Sequence, residues 1–317
     1  MLRYTGRVQG VRILGDGVAA CCCAHLLGVG IESAYRPRVP ALILSEATQH
    51  LMADIFGRRD LFDGLPRIER RAVAWGGESV TVPHSAVVIG EEELVRRLRP
   101  SASSTQAPAW TVFASKPLPA ESTEHQFGVR TATASPVKTK GDGQTLWIES
   151  LSTGWLFLLP GWLLAVGGDV DALFAASRLI APQIAHRGAA GAAWPAHPRI
   201  AMPLCGAGWL SCGSAAIGFD PICGDGTGYA VREGILAAAV IRAALDGGDV
   251  QSLCEHYTAR IVVGFRRHLE LCRGFYREFG TKDWWRAELD ALEQGIAWCG
   301  KDPEWRYRLN SFTLERV

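Results

Sequence analysis

Apolar residues fall in short runs separated by glycine along this chain, and the rhythm alternates between strand and helix periods. Val11–Leu14 reads as a buried strand and Val18–Leu27 as a helix of small residues able to pack closely on a sheet. Residues 31–35 read as the next strand, which completes strand–turn–helix–strand. A helix is expected over 49–56, and strands over 70–75 and 79–83 around the turn Gly76-Gly77-Glu78. Glu91–Leu98 has an acidic start and a basic end, as a helix dipole favours. A surface loop rich in Ser, Ala and Pro covers 100–108, followed by a short strand at 110–114. Strand-like runs at 127–132, 145–150, 155–159 and 162–166, with glycine turns between them, predict an antiparallel sheet. Beyond it the pattern predicts a helix over 170–184, a small-residue loop over 186–197 and a strand at 209–212. A helix follows over 228–245, and 250–300 is mostly helical.

Composition narrows the class without changing that outline. A chain of 317 residues with 48% hydrophobic and 21% charged residues suits one or two globular domains. A formal net charge of +1 offers no electrostatic reason to expect nucleic acid or an anionic membrane as partner. The longest apolar stretches, near 18–29 and 156–166, are broken and too short to span a bilayer, and the N-terminus lacks the order of a signal peptide. The nine cysteines do not form a disulfide framework, since three are consecutive and the rest scattered, so a reducing cytoplasm is expected. With no C-x-x-C pair, no metal site is expected.

Two glycine-rich segments carry the chemistry. In Gly15-Asp-Gly17-Val-Ala-Ala20, Gly15 permits a tight turn, Gly17 lets a diphosphate approach the backbone, and Ala20 allows close helix–strand contact. The helix N-terminus then meets the anion. The second strand ends in Arg36-Pro-Arg38 where an acidic residue usually holds an adenosine ribose; Glu32 comes early for that role, and Arg38 either meets the diphosphate or ribose or is simply exposed. The second segment, Gly213 to Gly228, follows a strand and leads into a helix. Its Gly224, Gly226 and Gly228 form a loop whose N–H groups can face an electron-rich ring, and Pro221 stiffens the approach. Asp220 either positions that loop or caps the turn before Pro221, and Asp225 either contributes to it or favours its backbone conformation. His84 is a candidate acid or base facing a substrate cavity, or a loop histidine satisfied locally. Trp284, Trp285, Trp298 and Trp305 line an aromatic site or pack the core, and the cysteine run 21–23 is small core filler.

With both segments in this order, the chain resembles the flavin-dependent monooxygenases and halogenases of para-hydroxybenzoate-hydroxylase type. Gly213-Ser214-Ala-Ala…Asp220-Pro221…Gly224-Asp225-Gly226 is similar to that family's late Gly-Asp-Ala-Ala…Pro…Gly-x-Gly segment, which holds the ribityl chain and flavin ring; Ser214 replaces its aspartate. Ser45-Glu46-Ala47-Thr48 resembles the Gly-Glu-Ala-Thr segment of the tryptophan-halogenase-like branch, where it lies near the flavin. Gly154-Trp155-Leu-Phe157-Leu-Leu-Pro160 is similar to that branch's Gly-Trp-x-Trp-x-Ile-Pro, which makes Trp155 and Phe157 substrate-side candidates. The resemblance implies an FAD-binding Rossmann-like domain of glutathione-reductase type, an antiparallel substrate sheet and a helical C-terminal tail. Their expected extents are 10–65, 84–120 and 200–250 for the first, 66–83 and 121–199 for the second, and 251–317 for the third.

It further implies FAD as cofactor, with hydroxylation of an aromatic substrate through a flavin C4a-hydroperoxide. Halogenases of this family need a lysine well before the middle of the chain, and this chain has none before Lys116, which disfavours halogenation. The Phe219-to-Gly228 wording and the closing stretch from Trp305 to Leu314 resemble a sub-branch that hydroxylates tryptophan in a partner polypeptide. The substrate is then an aromatic small molecule or a polypeptide, and the reductant visits transiently or comes from a separate flavin reductase. The alternative is a flavin-fold protein that has lost turnover and acts in binding or maturation.

Overall fold

The computed structural model describes residues 8, 10–33, 36–100, 108–141, 143–279, 282–300 and 306–317. Its first layer is a four-stranded sheet in the order Val11–Leu14, Trp110–Phe113, Trp209–Ser211, Cys205–Gly206. The first three strands are parallel, with Val11 opposite Trp110 and Trp209 opposite Thr111. Helix α1 (Val18–Leu27) follows the first strand after the turn Gly15-Asp16-Gly17. Of the strand expected over 31–35, the described residues show a parallel bridge, Glu32 to Leu14, and residues 34 and 35 lie outside the described set.

Three further helices pack beside α1 or against strands of the larger sheet described below. Helix α2 (Glu46–Phe56) starts earlier than the periodicity suggests because Ser45 caps it, accepting the Thr48 N–H at 3.3 Å. Helix α3 (Glu91–Leu98) follows Gly90. Helix α4 (Val170–Ala176) is half the length expected for 170–184. The buried carboxylate of Glu149 accepts the backbone N–H groups of Arg178, Leu179 and Ile180 at 2.7–3.1 Å, which turns the chain out of the helix. A tertiary partner has outbid the local helical ladder.

The second layer is a nine-stranded, largely antiparallel sheet. It runs in space from Ile184–Arg187 through Thr131–Thr139, Trp162–Gly167, Gly154–Leu159, Thr145–Leu151, Arg67–Ala74 and Val80–Ile89 to Leu42–Ser45, with Trp194–Pro195 pairing on Thr131–Thr139. One neighbouring pair, Arg67–Ala74 with Thr145–Leu151, is parallel. Strand Val80–Ile89 runs unbroken through residues 83 and 84, and the segment 186–197 expected as loop contributes Ile184–Arg187 and Trp194–Pro195 to this sheet. Most of the loop expected at 100–108 lies outside the described residues.

Helices α5 (Gly226–Leu245), α6 (Val250–Arg277) and α7 (Asp283–Trp298) complete the α content of the described residues. α1 and α5 touch through small residues: a Cβ on Gly234 would lie 2.6 Å from the Ala19 carbonyl and 2.8 Å from the Cys22 Cβ. That contact explains the unusual Ala-Ala-Cys-Cys-Cys run, whose thiols burial pushes up, to about 12 for Cys21 and Cys23. The C-terminal tail is not wholly helical, because Tyr307–Asn310 and Thr313–Arg316 form a hairpin. Trp305 lies outside the described residues. Trp284 and Trp285 pack edge-on at 4.8 Å, and Trp285 meets Trp75 at 5.4 Å. The tryptophans of α7 thus fix the tail to the large sheet.

The cysteines depart from expectation at one place. Cys205 and Cys254 form a disulfide that joins the edge of the four-stranded sheet to α6, while seven cysteines remain free. The two are 49 residues apart on different elements, so only the fold brings them together. Among the described residues, no helix is long and apolar enough to cross a membrane.

Candidate flavin-binding cleft

One cavity of about 350 Å³ runs between the two layers. Its floor is the start of α1, at Gly17, Val18 and Ala19, with Gly213 and Ser214 from the late segment beside it. Its far end is the turn Asp220–Pro221 with Gly224, Gly226 and Thr227 at the start of α5. The large sheet supplies an apolar roof of Ala134, Phe157, Leu159, Trp162, Leu164 and Trp194. The volume falls within the roughly 300–1,000 Å³ usual for ligand clefts.

Two glycines are required by geometry. Gly15 has φ +115°, and a Cβ there would come within 2.6 Å of Ser115 Oγ and 2.9 Å of the Ser115 backbone nitrogen. Gly15 therefore lets the Val11–Leu14 strand end hard against the segment after Trp110–Phe113, while Gly17 is the glycine that faces the cleft. Gly213 has φ +55°, and a Cβ would sit 3.0 Å from the Ala19 Cβ and 3.3 Å from the Ala114 carbonyl. Both glycines bring separate pieces of chain to one point.

The charged groups around the cleft are mostly engaged with one another. Arg36 forms a close ion pair with Glu91, and its guanidinium lies 3.1 Å from where a Cβ on Gly17 would be. Its buried Nε has no hydrogen-bond partner among the described residues. Arg38 pairs with Asp16 at 2.6 Å. Arg199 holds both Glu124 at 2.8 Å and the Ser214 carbonyl at 3.1 Å. Glu233 of α5 accepts the Gly213 N–H at 2.7 Å, and burial pushes its carboxyl up to about 8, against the smaller opposing effect of that hydrogen bond. At neutral pH it is therefore a protonated acid on the cleft wall.

Behind the far end lies a buried polar network. Arg130, with its side chain fully buried, donates to Asp220 at 2.8 Å and pairs closely with Glu288. Burial alone would lower the guanidinium, but Tyr276, Asp220 and Glu288 around it hold it above its usual value. Tyr276 donates its hydroxyl to Asp220 at 2.7 Å, and Asp220 Oδ1 accepts the Ile222 N–H at 2.9 Å, capping the turn Pro221–Cys223. The Asp220 N–H donates to His268 Nε2 at 2.9 Å. Next to it the thiols of Cys223 and Cys272 are 3.6 Å apart, and the neighbouring Cys272 and His268 pull the Cys223 thiol down to about 6, against burial.

The structure brings Gly17, Phe157, Ser214, Asp220, Pro221, Gly224 and Gly226 to one cavity. Other candidates lie off its walls. Ala20 is buried in the core and Gly15 supports the turn. Glu46 and Ala47 are exposed, with Glu46 accepting the Ser85 hydroxyl at 2.6 Å, so Thr48 rather than either lies beside the start of α5. Asp225 pairs with Arg232 at 3.0 Å. Trp155 is fully buried, its indole N–H 3.4 Å from the Tyr276 hydroxyl. His84 lies outside the cleft, and burial, aided by Arg71, lowers its ring. Arg36, Glu233, Trp162 and Trp194 line the cleft without having been singled out in the sequence. The alternation Arg36-x-Arg38 held a signal for Arg36, but only packing decides which arginine faces inward.

No protein-family model matches the sequence, and no curated protein does either. Solved structures do match. The peptidyl tryptophan dihydroxylase QhpG, essential for tryptophylquinone cofactor biogenesis, aligns with a TM-score of 0.76 at 17% identity over 98% of this chain and 86% of its own. The flavin-dependent halogenase CmlS aligns at 0.73 and 15% identity, over 94% of this chain and 71% of its own. The p-nitrophenol 4-monooxygenase PnpA from Pseudomonas putida DLL-E4 aligns at 0.60 and 14% identity, over 90% and 97%. The chain has the fold of flavin-dependent monooxygenases and halogenases.

Proposed function

We propose that this protein is an FAD-dependent monooxygenase that hydroxylates an aromatic ring, with a tryptophan carried on a partner polypeptide as the favoured substrate. The observation that carries this reading is the single cleft joining Gly17 at the start of α1 to Pro221, Gly224 and Gly226, about 200 residues later, under an aromatic roof. The fold shared with a peptidyl tryptophan dihydroxylase and an aromatic monooxygenase supports it.

The residues present fit a flavin dinucleotide. Gly17 leaves its backbone bare at a helix N-terminus, where a diphosphate is favoured, and the unpartnered Arg36 Nε is a donor beside it. Ser214 faces the cleft where a ribityl chain would pass, and Pro221, Gly224 and Gly226 leave room for the ring edge. Arg38, Glu46 and Asp225 support this site from outside the cleft lining by pairing with Asp16, Ser85 and Arg232, and Ala47 is exposed beside Glu46. When bound, the flavin supplies the activation of dioxygen. Phe157, Leu159, Trp162 and Trp194 exclude water and orient the aromatic substrate.

Hydroxylation is preferred to halogenation because no lysine is among the residues lining the cleft. Lys116 is exposed and paired with Glu124 at 3.0 Å. Reductant comes from a transient donor or a separate flavin reductase. The seven free cysteines support a cytoplasmic setting, with the Cys205–Cys254 pair as the exception.

Titration of flavin-free protein with FAD tests the reading. The expected result is a yellow complex with flavin visible absorption, and Gly17→Val should weaken FAD binding by about tenfold or more, ~1.4 kcal/mol. Gly17 has an extended backbone conformation that valine tolerates, so folding should be little affected. Colourless protein that takes up no FAD would instead support the binding or maturation role, and a chloride-dependent product would revive halogenation.

A further inference from the structure

We propose that Cys223, His268 and Cys272 form a zinc site that ties the turn Pro221–Cys223 to helix α6. His268 and Cys272 are four residues apart on α6 and so share one face, while Cys223 comes from the turn that ends at Gly224. The Cys272 Sγ is 3.3 Å from His268 Nε2 and 3.6 Å from the Cys223 Sγ, and the three donor atoms all lie within 4.8 Å of one another. Zinc bound tetrahedrally at about 2.3 Å to sulfur and 2.0 Å to nitrogen sets neighbouring ligand atoms roughly 3.5–3.8 Å apart. The two shorter separations here are close to those edges.

The donor chemistry agrees. Two thiols and an imidazole suit a borderline-soft d¹⁰ cation rather than calcium or magnesium. The Asp220 N–H donates to His268 Nε2, so that nitrogen carries a lone pair and the ring's proton is on Nδ1. The ligating tautomer is thus already selected, and coordination replaces the contacts that nitrogen makes with the Asp220 N–H and the Cys272 thiol. Near the cluster the single guanidinium of Arg130 faces two carboxylates, Asp220 and Glu288, so a cation is better tolerated than unpaired thiolates. Binding takes both sulfurs as thiolates, any thiol proton going to solvent, without any redox change. Cys223 is only half-buried, which leaves the fourth position to water.

The site is independent of flavin, and metal uptake tests it directly on the full chain. Protein purified in reducing buffer should contain one zinc ion per chain by elemental mass spectrometry. After chelation, Co²⁺ should restore the intense visible bands of a tetrahedral thiolate site, and Zn²⁺ should bleach them. Cys272→Ser and His268→Ala should each weaken metal binding by about 100-fold or more, beyond the ~10–100-fold loss from disturbing an outer-shell partner. Cys223→Ser, on the half-buried side, reads the same effect if a helix variant fails to fold. Cys299→Ser, a free cysteine elsewhere, should leave uptake unchanged. The proposal is overturned if reduced wild-type protein takes up neither Co²⁺ nor Zn²⁺, or if Cys299→Ser loses the metal equally. Peptide mapping that finds a Cys223–Cys272 disulfide in reducing buffer also overturns it.

Discussion

Arg130→Met should destabilise the protein by about 3–5 kcal/mol at pH 8, because it leaves two buried carboxylates facing one another without a cation. Asp220 and Glu288 both pair with Arg130 in the interior, where water cannot take its place. Methionine matches the length of the arginine stem, so the loss comes from charge and hydrogen bonding rather than from a cavity. Urea denaturation at pH 8 measures the loss, and a value under about 1 kcal/mol would show the network to be dispensable. Asp220 also caps the turn at the far end of the cleft, so the same variant should bind FAD more weakly even where it stays folded.

Glu233→Gln should do the opposite. The wild-type carboxyl keeps its proton in the folded protein up to about pH 8, whereas the unfolded chain releases it near its ordinary value of 4.5. Between those values the folded state binds more protons, so wild-type stability falls as pH rises through this window and levels off above it. Glutamine carries no titrating group, yet its side-chain oxygen can still accept the Gly213 N–H. The variant should therefore gain on wild type progressively from pH 5 to pH 8, by on the order of 3–5 kcal/mol at the upper end. Thermal melting across that range checks it. A constant offset between the two proteins would mean that Glu233 ionises at its usual pH and that its burial is incomplete.

Local pattern carried much of the architecture. Val18–Leu27 and Glu91–Leu98 appear with the bounds the pattern predicts, the first because Gly17 and Gly28 bracket it, the second because an amphipathic face follows Gly90. The two glycine segments, with the motifs at 45–48 and 154–160 between them in the expected order, were enough to point to the fold. Elements failed where a distant group intervened, as when Glu149 ended the helix expected over 170–184.

The site divides along the same line. Gly17, Ser214, Pro221, Gly224 and Gly226 were legible because backbone requirements at turns and helix starts are written locally, in residue type and spacing. Arg36 rather than Arg38 at the cleft, Glu233 beneath Gly213, Trp162 and Trp194 on the roof, and the Cys223–His268–Cys272 cluster were not. Each depends on which side chains two remote segments turn toward one another. That outcome follows from burial and charge pairing summed over the packed chain, so it exists only once the layers have closed.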